Sequence, residues 1–289
     1  MTGLNAPNRW LLVAALTFSV AACEQKPANM MAQYPSPMAE EVRAHERIHD
    51  QLAKGDTLSV TAVLNRRVRV LVPEAPADQG LLIHFHGAAY VPFAVTGYVV
   101  ASVNLGSGSG AYERPFADPE VFPNLVRALE AASGTAFNQV TLSGWSAGYG
   151  SIRAILREHP DRIAQVVLLD GLHTDYVPDR TTLFDGGHLN AGKLEPFLVF
   201  ARQAAAGTRR MIITHSEIFP GTYASTTETA AFIAAALGLE RKAVLEWGPG
   251  GMQLISRAEQ GNLTILGYAG NTAPDHVDHL HALPALLSR

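Results

Sequence analysis

The chain crowds small residues around one serine. "QVTLSGWSAGYGS" sets Gly144, Ala147, Gly148 and Gly150 about Ser146. A serine hydroxyl attacks a carbonyl only when a base takes its proton and donors hold the charge that develops on the carbonyl oxygen. Possible bases stand elsewhere in the chain. "IHFHG" carries His84 and His86, and "APDHVDHLH" carries His276, His279 and His281. Possible acids are Asp170 in "VVLLDG", and Glu217 and Glu228 in "HSEIFPGTYASTTE". His84 and His86 alternate along one stretch, so on a strand they share a face and suit a metal pair as well. No third ligand is spaced to join them, and no metal site is expected.

The pattern along the chain shows what must hold these groups. "TLSVTAV" and "RVRVLVP" alternate and are β-branched, which predicts an antiparallel edge pair. Buried strands are predicted at "GLLIHFHG", "GYVVASVNLG", "QVTLSG", "IAQVVLLDG", "RMIITHS" and "NLTILGYAG". Helical spacing covers "AEEVRAHERIHDQL", "DPEVFPNLVRALEAASG" (Asp118 as cap, Gly134 as stop), "AGYGSIRAILREHP", "AGKLEPFLVFARQAAAG", "STTETAAFIAAALG" and "VDHLHALPALLSR". Strands alternating with helices over this length predict an α/β fold, a mostly parallel central sheet with helices on both faces. "NLGSGSGAYERPFADPE" reads as a flexible loop.

Ser146 therefore follows a buried strand and opens a helix. "GWSAG" fits G-x-S-x-G, the sharp strand-turn-helix that lifts a nucleophile above a sheet. A Cβ at Gly144 or Gly148 would collide with the opposing chain in so tight a turn. The helix that begins at Ala147 aims its first N–H groups into the space that the serine faces.

In these features the chain, from roughly Thr57 onward, resembles the α/β-hydrolase superfamily of serine hydrolases, esterases and lipases among them. The resemblance implies a second oxyanion donor from the turn after an earlier strand. Here that turn is His86-Gly87, so the N–H of Gly87 or Ala88 would join that of Ala147. It also implies the chain order serine, acid, histidine, with the histidine after the last strand. His276 is the expected base, with His279 one helical turn on as the alternative. Asp170, at the end of the strand after the serine helix, is the expected acid, and Glu217 is the alternative one strand later. The division of labour would be attack by Ser146, proton transfer by His276 and orientation of the imidazole by the acid. His84 is expected in the core or just behind the site. Few residues separate the "HFHG" and "YVVASVNL" strands, so the usual crossover helix there is expected to be missing or reduced to a turn. "GLHTDYVPDRTTLFDGGHLN" occupies the lid position and is short, a reduced lid that implies an open site. His173 and His188 within it are expected to be exposed. Trp145, Tyr149, Tyr90, Phe184 and Tyr223 are the aromatic candidates for a substrate wall.

The 289 residues are 47% hydrophobic with a formal charge of -4, which fits a globular body and excludes a nucleic-acid binder. The one cysteine, Cys23, ends "RWLLVAALTFSVAAC". Arg9 in a polar head, an apolar run too short to span a bilayer and the small residues Ala21 and Ala22 form a secretory signal pattern. "VAAC" resembles a bacterial lipobox, which implies lipidation of Cys23 and a place in the cell envelope, periplasm or outer membrane. The expected organisation is a leader over residues 1–22, a Pro/Gln/Met-rich tether over 23–37 and one hydrolase domain over 38–289. With Cys23 lipidated, the body has no cysteine and no thiol chemistry. Membrane contact is then expected through the N-terminal lipid only.

The expected function is hydrolysis of a carboxylic ester through an acyl-enzyme, with a small acyl group or a polymer decoration such as acetyl, and without a cofactor. Two alternatives remain: an amidase or peptidase on the same residues, and a non-catalytic envelope binding module of the same fold.

Overall fold

A computed structural model describes residues 47–48, 52–61, 63–75 and 80–288. The leader, the tether, Cys23 and most of the helix expected over 39–52 lie outside these residues. Among the described residues no helix is long and apolar enough to cross a membrane.

The elements follow one another as β1 (Gly55–Val60), β2 (Val68–Pro73), β3 (Gly80–Phe85), β4 (Tyr98–Val103), α1 (Ser109–Phe116), α2 (Val121–Ser133) and β5 (Val140–Trp145). Next come α3 (Tyr149–Glu158), β6 (Ile163–Leu169), the short β7 (Tyr176–Val177) and β8 (His188–Leu189), α4 (Ala191–Ala205), β9 (Arg210–His215) and α5 (Thr226–Ala236). The chain ends with β10 (Lys242–Trp247), β11 (Gln253–Gln260), β12 (Leu263–Tyr268), α6 (Ala273–His281) and α7 (Leu283–Leu287).

Ten strands form one sheet in the order β1-β2-β4-β3-β5-β6-β9-β12-β11-β10. The central six, β4 through β12, run parallel, and the two strands at each end run antiparallel to their neighbours. Unbroken apolar runs such as "YVVASV" are buried along their whole length, which is what strands covered on both faces require. Alternate residues feed two cores. Leu81, Ile83 and Phe85 of β3 join residues of α1 to α5 on one face. Leu82, with Val100 of β4, meets Phe93, Leu283 and Leu286 on the other. A mostly parallel sheet, helices on both faces and a serine turn at the end of a central strand make this the α/β-hydrolase fold. The second face is the thinner one, covered by α6, α7 and the turn at Val91–Ala94. That 3₁₀ turn is the reduced connection between the parallel strands β3 and β4.

Several expectations need correction. The stretch read as a flexible loop contains α1. Its Tyr112 and Phe116 lie one helical turn apart and are both buried, a pairing that the preceding "GSGSG" obscured. Asp118 is not the cap of α2: Glu120 holds that position, and the Asp118 carboxylate accepts the Glu120 N–H at 2.9 Å. Gly134 does end the helix, in the left-handed conformation that glycine adopts without strain (φ 70°). The edge strands β10 and β11 were not anticipated. β10 is exposed along almost its whole length, so it lacks the one-faced burial that marks a strand in sequence.

Candidate active site

Three parallel strands end side by side in strained turns. Five described non-glycine residues have positive φ. Three of them, His86 (73°), Ser146 (48°) and Asp170 (44°), stand at or just past the C-terminal ends of β3, β5 and β6. Such backbone costs on the order of 1–3 kcal/mol per residue and persists where the surroundings over-determine it, which happens most often at functional sites.

The turn at Ser146 is as tight as its small residues imply. A Cβ on Gly148 would stand 2.2 Å from the Phe85 carbonyl oxygen, and one on Gly144 would stand 2.9 Å from Ile152 Cδ1. Ser146–Gly148 forms one 3₁₀ turn, and α3 proper begins at Tyr149 rather than at Ala147. The elbow therefore presses on the end of β3, where His86-Gly87 follows. A Cβ on Gly87 would meet Trp145 Cε3 at 3.1 Å and Leu280 Cδ2 at 2.8 Å. The turn that carries Gly87 and Ala88 thus packs against the residue preceding the serine.

Asp170 is buried and fully engaged. Its Oδ1 accepts the Ser216 N–H at 2.8 Å and the Thr226 hydroxyl at 2.5 Å, and its Oδ2 faces His276 Nδ1 at 2.7 Å. Burial pushes this carboxyl up, but nearby His279 and His276 and the donated hydrogen bonds outweigh it and hold the group well below the usual carboxylate range. The share of His279 counts only when that ring is protonated, and its own burial opposes protonation. The donated hydrogen bonds, that of His276 among them, are therefore the durable cause. An ionised carboxylate only accepts, so His276 Nδ1 carries a proton, and in the neutral tautomer this selects the lone pair is on Nε2.

His276 sits in the first turn of α6, whose Thr272 and Asp275 form a capping box. Its side chain is 22% exposed. Two contacts tie it to the elbow. The Trp145 indole packs on the imidazole with ring centres 4.6 Å apart, and Trp145 Nε1 donates to the His276 carbonyl at 2.8 Å.

The other candidates are occupied differently. His279, the alternative base, is buried, with Nδ1 2.7 Å from the Thr214 hydroxyl and its ring edge-on to Tyr268. The Glu217 carboxylate accepts the Gly270 N–H at 3.3 Å, and Glu228 caps α5 and accepts from Tyr176. His84 is a core residue, with Nδ1 2.7 Å from Ser143 Oγ and Nε2 2.7 Å from the His86 carbonyl. His86 Nδ1 meets the Tyr112 hydroxyl at 2.7 Å, and its ring lies parallel to Trp145. With these nitrogens engaged by protein groups, the pair does not present a ligand set, and among the described residues no cluster suits a metal.

The lid segment carries the β7–β8 ribbon and leaves Phe184 98% exposed and His188 exposed. His173 is not an exposed loop residue as expected. It is part-buried between Tyr149 and Tyr223, and its Nδ1 is 2.9 Å from the Ala224 carbonyl. Tyr112 and His173 were missed because each gains its meaning from a partner distant in sequence.

No family model matches the chain, and no curated protein matches its sequence. Solved structures do match. An acetyl xylan esterase from Aspergillus awamori is 16% identical with a TM-score of 0.48, over 78% of this chain and 97% of that one. A carboxylesterase from Bacillus subtilis is 10% identical with a TM-score of 0.46, over 81% and 90%. A puromycin-hydrolyzing peptidase from Mycobacterium tuberculosis is 16% identical with a TM-score of 0.45, over 82% of this chain and 40% of that one. So remote a likeness says nothing about the reaction, which has to be argued from the residues themselves.

Proposed function

We propose that the protein is a serine hydrolase that cleaves a carboxylic ester with a small acyl group, using Ser146, His276 and Asp170. The observation that carries this reading is a buried carboxylate bonded to His276 Nδ1 at 2.7 Å, on a histidine packed against the residue that precedes a strained serine. Asp170 fixes the tautomer and leaves Nε2 as the base. Ser146 Oγ bonds to the ester carbon as its proton passes to Nε2, and the carbonyl oxygen takes the negative charge. The N–H of Ala147, in the elbow turn, and that of Gly87 or Ala88 hold this charge. The C–O bond to the alcohol then breaks, and the imidazolium returns the proton to the departing alkoxide. Water repeats the sequence on the acyl-enzyme, releasing the acid and restoring the serine. Asp170 stays ionised throughout, as its low pKa and three hydrogen bonds favour.

Purified protein is expected to hydrolyse p-nitrophenyl acetate and to be labelled by a fluorophosphonate, with both lost in Ser146→Ala. Asp170→Asn is expected to lower kcat by roughly 10⁴-fold through loss of the correct tautomer. Glu217→Gln is expected to leave turnover close to that of the parent. Equal losses in the two carboxylate variants would contradict the assignment of the acid, and a labelled Ser146→Ala protein would contradict the nucleophile.

A further inference from the structure

One polar side chain beside this site is not used by the proposed mechanism. His173 lies three residues past Asp170. The intervening Gly171 packs so closely on the elbow that a Cβ there would stand 2.7 Å from both the N and the O of Ser146. Tyr149, one helical turn beyond Ser146, presents its ring to His173 with centres 5.7 Å apart. His173 therefore bridges the acid turn and the first turn after the nucleophile, at the same end of the sheet.

Its orientation is over-determined. Nδ1 stands 2.9 Å from the Ala224 carbonyl oxygen, which only accepts, so Nδ1 carries the proton. The Ala224 N–H in turn donates to the Thr174 carbonyl at 2.9 Å. Thr229 donates to the Leu172 carbonyl at 2.6 Å, and Thr174 donates to the Asn190 carbonyl at 2.9 Å. The backbone on both sides of His173 is thus pinned to α5 and to the start of α4. Tyr223 closes over the ring edge-on, 5.1 Å away, and is itself 42% exposed.

The consequence lies at the other ring nitrogen. With the proton on Nδ1, Nε2 carries a lone pair. Among the described residues no hydrogen bond to it is found, and the residue is only part-buried. Burial pushes the pKa of the ring down, which keeps it neutral near pH 7. A neutral imidazole held between two tyrosines beside the elbow is a pure acceptor at Nε2, and it orients a donor at little entropic cost.

We propose that His173 determines specificity by accepting, at Nε2, a hydrogen bond from a hydroxyl group that the substrate carries close to its ester. The proposal deepens the ester-hydrolase reading and rests on it. The preferred substrate is then a hydroxylated ester, not a plain hydrocarbon one.

Two matched pairs of esters test this and locate the hydroxyl. Methyl butyrate and methyl 3-hydroxybutyrate vary the acyl side, and propyl acetate and 3-hydroxypropyl acetate vary the alcohol side. The protein is expected to favour the hydroxylated member of one pair by about tenfold in kcat/KM, the scale of one well-made hydrogen bond. His173→Phe keeps a flat ring without the lone pair, and it is expected to bring that ester level with its parent. A merely structural role would lower both members alike and leave their ratio unchanged, and that result overturns the proposal. A second readout does not need turnover. In ¹⁵N-histidine-labelled Ser146→Ala protein, the His173 Nε2 resonance is expected at the position of an unprotonated nitrogen. It should move upfield with millimolar hydroxylated ester of the preferred pair and stay in place with its parent. A protonated Nε2, or a resonance indifferent to both hydroxylated esters, overturns the proposal whether or not the protein hydrolyses any ester. Absence of turnover beside a responsive Nε2 would instead sink the hydrolase reading and leave the subsite standing.

Discussion

Two serines three positions apart in this chain lie in contrasting surroundings, and the proposed mechanism uses only one of them. Ser143 bonds His84 at 2.7 Å, a hydroxyl and an imidazole already in contact. Both sit in regular strands, paired across the β3–β5 ladder, and both are buried. The second nitrogen of His84 is taken by the His86 carbonyl, among the described residues no carboxylate meets the ring, and burial holds its pKa down at about 4. Ser146 has none of these constraints. It leaves the strand at φ 48°, and His276, packed on the preceding Trp145, has Asp170 on one nitrogen and 22% of its side chain open to solvent. Proximity of hydroxyl and imidazole is therefore the lesser requirement. In the proposed mechanism the difference is made by a carboxylate that sets the tautomer and a turn that takes the serine out of the regular strand.

The same substitution at the two serines gives the largest contrast. Ser146→Ala is expected to lower kcat on p-nitrophenyl acetate by up to roughly 10⁶-fold, the usual cost of losing the nucleophile of a triad. Its denaturant midpoint should change little or rise, because alanine leaves the strained turn no bulkier. Ser143→Ala is expected to reverse the pattern. Turnover stays near that of the parent, while stability falls by about 1–3 kcal/mol because a buried imidazole nitrogen loses its partner. Comparable kinetic losses in both variants would mean that the inner pair takes part in the reaction.

The inner histidine also sharpens the comparison through acid. His84, and His215 at the end of β9, each have a pKa near 4, lowered first by burial and, for His215, next by the charge of Arg241. Both rings are neutral in the folded protein and take up a proton near pH 6.5 when unfolded. The unfolded state binds more protons in that interval, so stability is full above about pH 6.5 and falls as pH drops toward 4. Each ring accounts for about 3 kcal/mol of that loss. Asp170 acts with the same sign at lower pH, because its folded pKa lies below its unfolded one. Urea midpoints measured from pH 7 to pH 4 should trace this fall, and His84→Gln should flatten its own share. An unchanged slope in that variant would show that His84 is already protonated in the folded state.

How much of this could be read from the sequence follows the same division. The parallel strands were legible because apolar runs such as "YVVASV" and "IAQVVLL" leave few alternatives to a doubly covered sheet. The elbow was legible because its glycines answer to backbone contacts, Gly148 against the Phe85 carbonyl above all. What the sequence hid depends on partners far along the chain. Nothing local to His279 shows that Thr214 and Tyr268 bury it, and nothing local to His173 shows that Ala224 fixes its tautomer. β10 was hidden for the opposite reason. It has too little buried surface to leave a pattern.

The smallest expected effect concerns Trp145, which stands between His86 and His276. Its ring lies 5.2 Å from that of His86 and 4.6 Å from that of His276, and its Nε1 donates to the His276 main chain. The bond fixes where α6 begins relative to the elbow, and through it the direction of the imidazole. Trp145→Phe keeps an aromatic face for both rings and removes only the donor. One hydrogen bond of this kind contributes about 0.5–1.5 kcal/mol, so kcat is expected to fall roughly two- to tenfold. KM should hold if the indole acts by positioning the proposed base rather than by binding substrate. The split between the two constants decides the point. A rise in KM at constant kcat would make Trp145 part of the substrate wall. A fall in kcat alone would support the indole as the group that positions His276 beside the elbow.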